Sequence, residues 1–151
     1  MKKSILVALS IFALVSCKNN TEETVTTTET EIEHTAPQDA ASDKLALNNN
    51  EKWVVNDEMK PFVMNGEALV NTYIKENKTD YKQLAADLKA ENTKLIKSCT
   101  MEGASHDELH KWLHPHLEIV NRMAEIDNDE KAKVLVAELE ASYQNYHNYF
   151  N

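Results

Sequence analysis

Between about Glu51 and Asn151 apolar residues recur three and four positions apart, the spacing that gathers side chains on one face of a helix. Four stripes follow. Phe62, Val63, Leu69, Val70, Tyr73 and Ile74 form the first, with Pro61 expected to kink or end any helical turns between Glu51 and Lys60. Tyr81, Leu84, Leu88, Leu95, Ile96 and Cys99 form the second, opened by Thr79 or Asp80 as cap and closed near Gly103. Ser105 with Glu108 reads as a capping box that starts a third helix, carrying Leu109, Trp112, Leu113, Leu117 and Val120. Asp127 with Glu130 starts the fourth in the same way, with Leu135, Leu139, Tyr143, Tyr146 and Phe150 along it. There is no strand-like alternation and no internal repeat. The pattern predicts an all-α fold, an antiparallel up-down-up-down four-helix bundle over residues 51–151, a length that suits one small core.

Residues 17–50 follow a different rule. Thr21-Glu22-Glu23-Thr24 and Thr26-Thr27-Thr28-Glu29 are their most biased stretches, and Val25, Ile32, Leu45 and Leu47 are nearly their only large apolar side chains. So little apolar surface cannot offset the entropy of ordering. The segment reads as a disordered tether with an r.m.s. reach on the order of 30 Å, and His34 within it as a solvated histidine.

The chain opens with Met1-Lys2-Lys3, an apolar run from Ile5 to Val15, and then Leu14-Val15-Ser16-Cys17. A positive flank and a run too short to span a bilayer describe a signal peptide over residues 1–16, with an uncut membrane anchor as the weaker alternative. The last four residues resemble a bacterial lipobox, at which signal peptidase II cuts before a lipidated cysteine. That resemblance implies a mature chain beginning at an acylated Cys17 and held in the cell envelope by its lipid. Lys18 stands where an aspartate would resemble an inner-membrane retention signal, which favours the outer membrane. The stretch from Ile96 to Leu117 is similar to one found in small helical lipoproteins of Gram-negative bacteria, a resemblance that implies a class and no activity.

Cleavage at that point removes Lys2 and Lys3 and no acid, taking the formal charge from −9 to about −11. An acidic chain without a basic cluster is a poor partner for nucleic acid or for anionic lipid headgroups. Acylation also consumes one of the two cysteines. Cys99 is then the only thiol in a compartment that oxidises thiols, where it must be buried, bridged to a second copy or bound to a metal.

In an up-down-up-down bundle the end of the second helix, the start of the third and the end of the fourth share one end. Cys99, Met101, His106, His110 and His147 all belong to that end, and Trp53 is placed near it. At 100° per residue His106 lies about 40° from the apolar centre of the third helix, His110 near 80° and His114 near 120°, toward solvent. His116 returns to about 40° on the other side, but it lies about 15 Å along the axis from His106, so these two cannot share an ion. Thiol, thioether and imidazole together suit Cu(I) best and Zn(II) second. The candidate metal ligands are therefore Cys99, Met101, His106, His110 and His147, although the spacing matches no zinc finger or blue-copper loop. The same residues also suit a plain bundle end, with Met101 as a plug and Cys99 as a small buried hydrophobe.

Catalysis has little support. Cys99 lies near a helix C-terminus, where the dipole disfavours a thiolate, and CxxCH, P-loop and GxSxG patterns are absent. Met59 or Met64 with His147 would suit haem in a bundle interior, but no spacing demands it. The reading is a non-enzymatic envelope lipoprotein that binds copper or zinc. The alternatives are an adaptor for another envelope protein and a dimer linked through Cys99.

Overall fold

The structure, a computed structural model, describes residues 44–151, so the leader, Cys17, His34 and the tether up to residue 43 lie outside the described residues. Four α-helices make up most of what is described: α1 (Lys60–Lys75), α2 (Tyr81–Lys97), α3 (Gly103–Glu125) and α4 (Asp129–Tyr149). Among the described residues there is no strand, only two isolated bridges. No helix there is long and apolar enough to cross a membrane.

The helix ends obey local chemistry, with four corrections to the sequence reading. Pro61 starts α1 instead of kinking or ending turns before it, because the first helical turn needs no N–H from that position. At the other end of α1, Asn77 takes a left-handed φ of 52°, and Asn77 and Lys78 donate back to Ile74 and Tyr73, the pairing of a Schellman stop. Asp80 caps α2 as expected, accepting from the Gln83 N–H at 2.9 Å. That helix stops at Ser98, however, and Gly103, with φ of 63°, opens α3 instead of closing α2.

The capping box of α3 does not form. Ser105 lies inside the helix and its hydroxyl donates to the Glu102 carbonyl, while Glu108 turns into the protein. There Glu108 accepts from the Ala46 N–H and from Lys111 Nζ, so a contact 62 residues away in sequence outcompetes the local one. For α4 the cap is Asn128, one residue beyond the expected Asp127, and it accepts from the Lys131 N–H at 2.8 Å. Asp129 and Glu130 then occupy the first turn, where the helix dipole favours them.

Residues before α1 also carry contacts that periodicity does not reveal. Asn49 and Asn50 both have positive φ and join Asn48 to Glu51 in a tight two-residue turn. Trp53 donates its N–H to the Tyr149 carbonyl at 2.8 Å and accepts from Asn151 at 3.1 Å, pairing the entry of the fold with its last residues. The Trp53 indole donates to the Ala46 carbonyl, and Leu45 packs on the core. The folded contacts thus reach back to Leu45, inside the stretch assigned by composition to the tether.

Packing is pairwise: α1 lies against α2 and α4, α2 against α3, and α3 against α4. Side chains tie the ends together. Asn56 donates to the Ser98 carbonyl and accepts from the Thr100 N–H, which sets the entry to α1 beside the exit of α2. Tyr81 donates to the Ile126 carbonyl and Lys82 pairs with Asp127, which sets the start of α2 beside the exit of α3. Leu88, Leu95, Leu109, Met123 and Leu139 are fully buried between the helices. Gly66 permits the approach of α4 to α1, since a Cβ there would run into the Tyr143 hydroxyl.

Candidate functional site

Four neighbouring pieces of chain line a cavity of about 280 Å³. The end of α2 contributes Ile96, the following loop contributes Cys99 and Met101, and the turn before α1 contributes Met59. The remaining walls come from one face of α3, where Leu109, Leu113 and Leu117 lie beside His106, His110 and His114. Its polar chemistry is thus one thiol, two thioethers and three imidazoles. Among the described residues no carboxylate lines it.

The histidines form a ladder along α3, because residues four apart are neighbours on a helix surface. The ring centroids of His106 and His110 are 4.3 Å apart and those of His110 and His114 are 4.7 Å apart. His110 Nδ1 and His114 Nε2 are 2.9 Å apart, a hydrogen bond in which one ring donates its N–H and the other accepts on a neutral nitrogen. Burial, followed by the neighbouring His106 and His114, holds His110 below the ordinary imidazole range. A neutral ring is the form that binds a metal.

Four of the five ligand candidates therefore share a cavity: Cys99, Met101, His106 and His110. His147 does not line it. Its Nε2 lies 2.8 Å from Glu67 Oε2, bringing α4 to α1, and α4 contributes nothing to the cavity wall. Among the described residues no group of three or more His, Cys, Asp or Glu side chains stands together as a ready set of metal ligands.

Sequence reasoning missed two wall residues. His114 is exposed, as its helical phase predicts, yet its ring still reaches the cavity rim. The signal was there in the repeat of four running on from His110. Met59 gave no such signal, since only the tertiary packing brings the turn before α1 to Cys99. Of the haem candidates, Met64 is largely exposed and Met59 is fully buried, while His147 is paired with Glu67.

Cys99 is a free, half-buried thiol. His116 belongs to the core, fully buried, with its ring stacked on Trp112 at 4.9 Å and edge-on to Tyr143 at 4.8 Å. Its Nδ1 lies 3.0 Å from Ser142 Oγ, and Nε2 has no partner among the described residues. Burial pushes its pKa down to about 4, so it is neutral in the folded protein.

Larger grooves lie between α1 and α2 (about 450 Å³) and where the end of α1 meets the starts of α2 and α4 (about 490 Å³). They are lined by amide, acidic, hydroxyl, lysine and aliphatic groups, with no thiol, thioether or imidazole. Comparison with models of protein families, with curated proteins and with solved structures finds no match to the chain.

Proposed function

We propose that this protein is a non-catalytic envelope lipoprotein, acylated at Cys17, whose folded part holds a soft metal ion, Cu(I) or Zn(II), between α2 and α3. The fold is read as an antiparallel up-down-up-down four-helix bundle, supported by the pairwise packing of consecutive helices and by the side-chain ties between their ends. Lys18 after the acylated cysteine favours the outer membrane. The observation that carries the metal reading is the shared cavity of Cys99, Met101, His106 and His110. Soft sulfur and borderline imidazole in one partly enclosed space match the preferences of d¹⁰ ions.

The test is a competitive titration of the full chain, purified in detergent, against a chromogenic chelator under reducing, oxygen-free conditions. One equivalent of Cu(I) or Zn(II) is taken up per chain. Cys99→Ser combined with His110→Ala weakens uptake by more than the roughly 10- to 100-fold typical of losing an outer-sphere partner. His147→Ala leaves it unchanged. No uptake, or uptake indifferent to the Cys99 and His110 changes, refutes the proposal.

A further inference from the structure

We infer that the ion is monovalent, Cu(I) or its analogue Ag(I), and that the Met59 thioether is one of its ligands; the inference rests on the metal reading of the cavity. The charge of the lining and its donor types point the same way on valence. Among the described residues no carboxylate lines the cavity, and Glu108, a buried acid on α3, is engaged by Ala46 and Lys111. Asp107 is exposed, with its carboxylate 3.8 Å from His106 Nδ1, and does not line the cavity. Among the described residues Cys99 is the one side chain lining the cavity that can offer a bound ion an anionic donor. A monovalent ion is neutralised by it without change of oxidation state. A divalent ion would keep a net positive charge against Met59, Leu109 and Leu113, all buried, and charge left uncompensated among apolar walls is strongly disfavoured.

The donor types agree. Two thioethers line the cavity, and zinc sites are built from thiolate, imidazole and carboxylate, whereas Cu(I) accepts thioether readily.

Geometry gives Met59 its part. Met59 is fully buried, and its backbone N–H donates to the Asn56 carbonyl at 3.0 Å while its carbonyl accepts from Phe62 and Val63. The Asn56 side chain in turn grips both neighbours of Cys99, donating to Ser98 O at 3.2 Å and accepting from the Thr100 N–H at 3.4 Å. One asparagine therefore fixes the backbone that carries the thioether relative to the backbone that carries the thiol before any ion arrives. Pre-positioned donors are what tight metal sites require.

Ag(I), which is redox-inert here, is the probe. The full chain in detergent is titrated at neutral pH with Ag(I) and separately with Zn(II), using wild type, Met59→Leu and Met64→Leu, with Met methyl groups followed by NMR. Met59→Leu nearly conserves volume and keeps the fold. The expected result is Ag(I) binding of one ion per chain, weakened about 10-fold or more by Met59→Leu and unaffected by Met64→Leu, with the Met59 methyl shifting on addition. Zn(II) binds far more weakly than Ag(I). Ag(I) binding that ignores Met59→Leu and leaves its methyl unshifted overturns the inference while sparing the metal reading. The same holds if Zn(II) binds as tightly as Ag(I). If neither ion binds, the metal reading falls and this inference with it.

Discussion

Trp112→Ala lowers the unfolding free energy by about 3–5 kcal/mol, a large share of the roughly 5–15 kcal/mol available to a domain of this size. Trp112 is 3% exposed and stands at the centre of an aromatic group in which α3 meets α4. Its ring centroid is 4.9 Å from His116, 4.8 Å from Tyr146 and 6.3 Å from Tyr143, and its indole N–H donates to the Ser142 carbonyl at 2.9 Å. Truncation removes the packing, leaves a cavity that stiff rings cannot collapse into, and exposes His116 to water. Urea denaturation followed by circular dichroism reads the effect as a lower midpoint with an unchanged slope. A loss below about 1 kcal/mol would place Trp112 outside the core and contradict the packing described here.

Acid is the second strong perturbation, and it acts through His116. The pKa of this group is about 4 in the folded protein and about 6.5 when unfolded, so between those values the unfolded chain binds the extra proton. The His116 contribution is complete above about pH 6.5 and is lost as the pH falls toward 4, amounting to about 3 kcal/mol. His116→Phe isolates that share. Nε2 has no partner to lose, and the Ser142 hydroxyl can turn to a backbone carbonyl of its own helix. Melts at pH 4.5, 5.5 and 7 therefore show a steep decline for wild type and a shallower one for the variant. Parallel declines would mean that His116 is reached by solvent protons without unfolding.

What the sequence reveals of this fold depends on how local the cause is. The stripe Leu84, Leu88 and Leu95 and the Asp80 cap act within one or two turns, and both are plain in the chain. The Ser105 and Glu108 pair has the spacing of a capping box, but its acid is claimed by Ala46, a partner no local pattern announces. Pro61 is ambiguous in isolation, because the same missing N–H ends one helix and opens the next. Asp127 and Asn128 are both competent caps one residue apart, and only the path of the loop between α3 and α4 chooses.

The same distinction runs through the candidate site. Cys99, Met101, His106 and His110 lie within twelve residues, and the turn from α2 into α3 brings them to one cavity. His147 was assigned through topology, yet sharing an end of a bundle is a weaker condition than sharing a cavity. The pairing of His147 with Glu67 shows the difference. Met59 enters only through the grip of Asn56 on the residues flanking Cys99, a long-range hydrogen-bonding arrangement that leaves no periodic trace.

In the proposed site the cavity between α2 and α3 takes a soft ion through sulfur as well as imidazole. X-ray absorption at the copper edge, on the full chain loaded with one equivalent of Cu(I), tests it most directly. Sulfur is expected among the nearest neighbours of the metal together with imidazole nitrogen, with a loss of sulfur scattering in Cys99→Ser. A shell of nitrogen and oxygen alone, unchanged by that substitution, would contradict it.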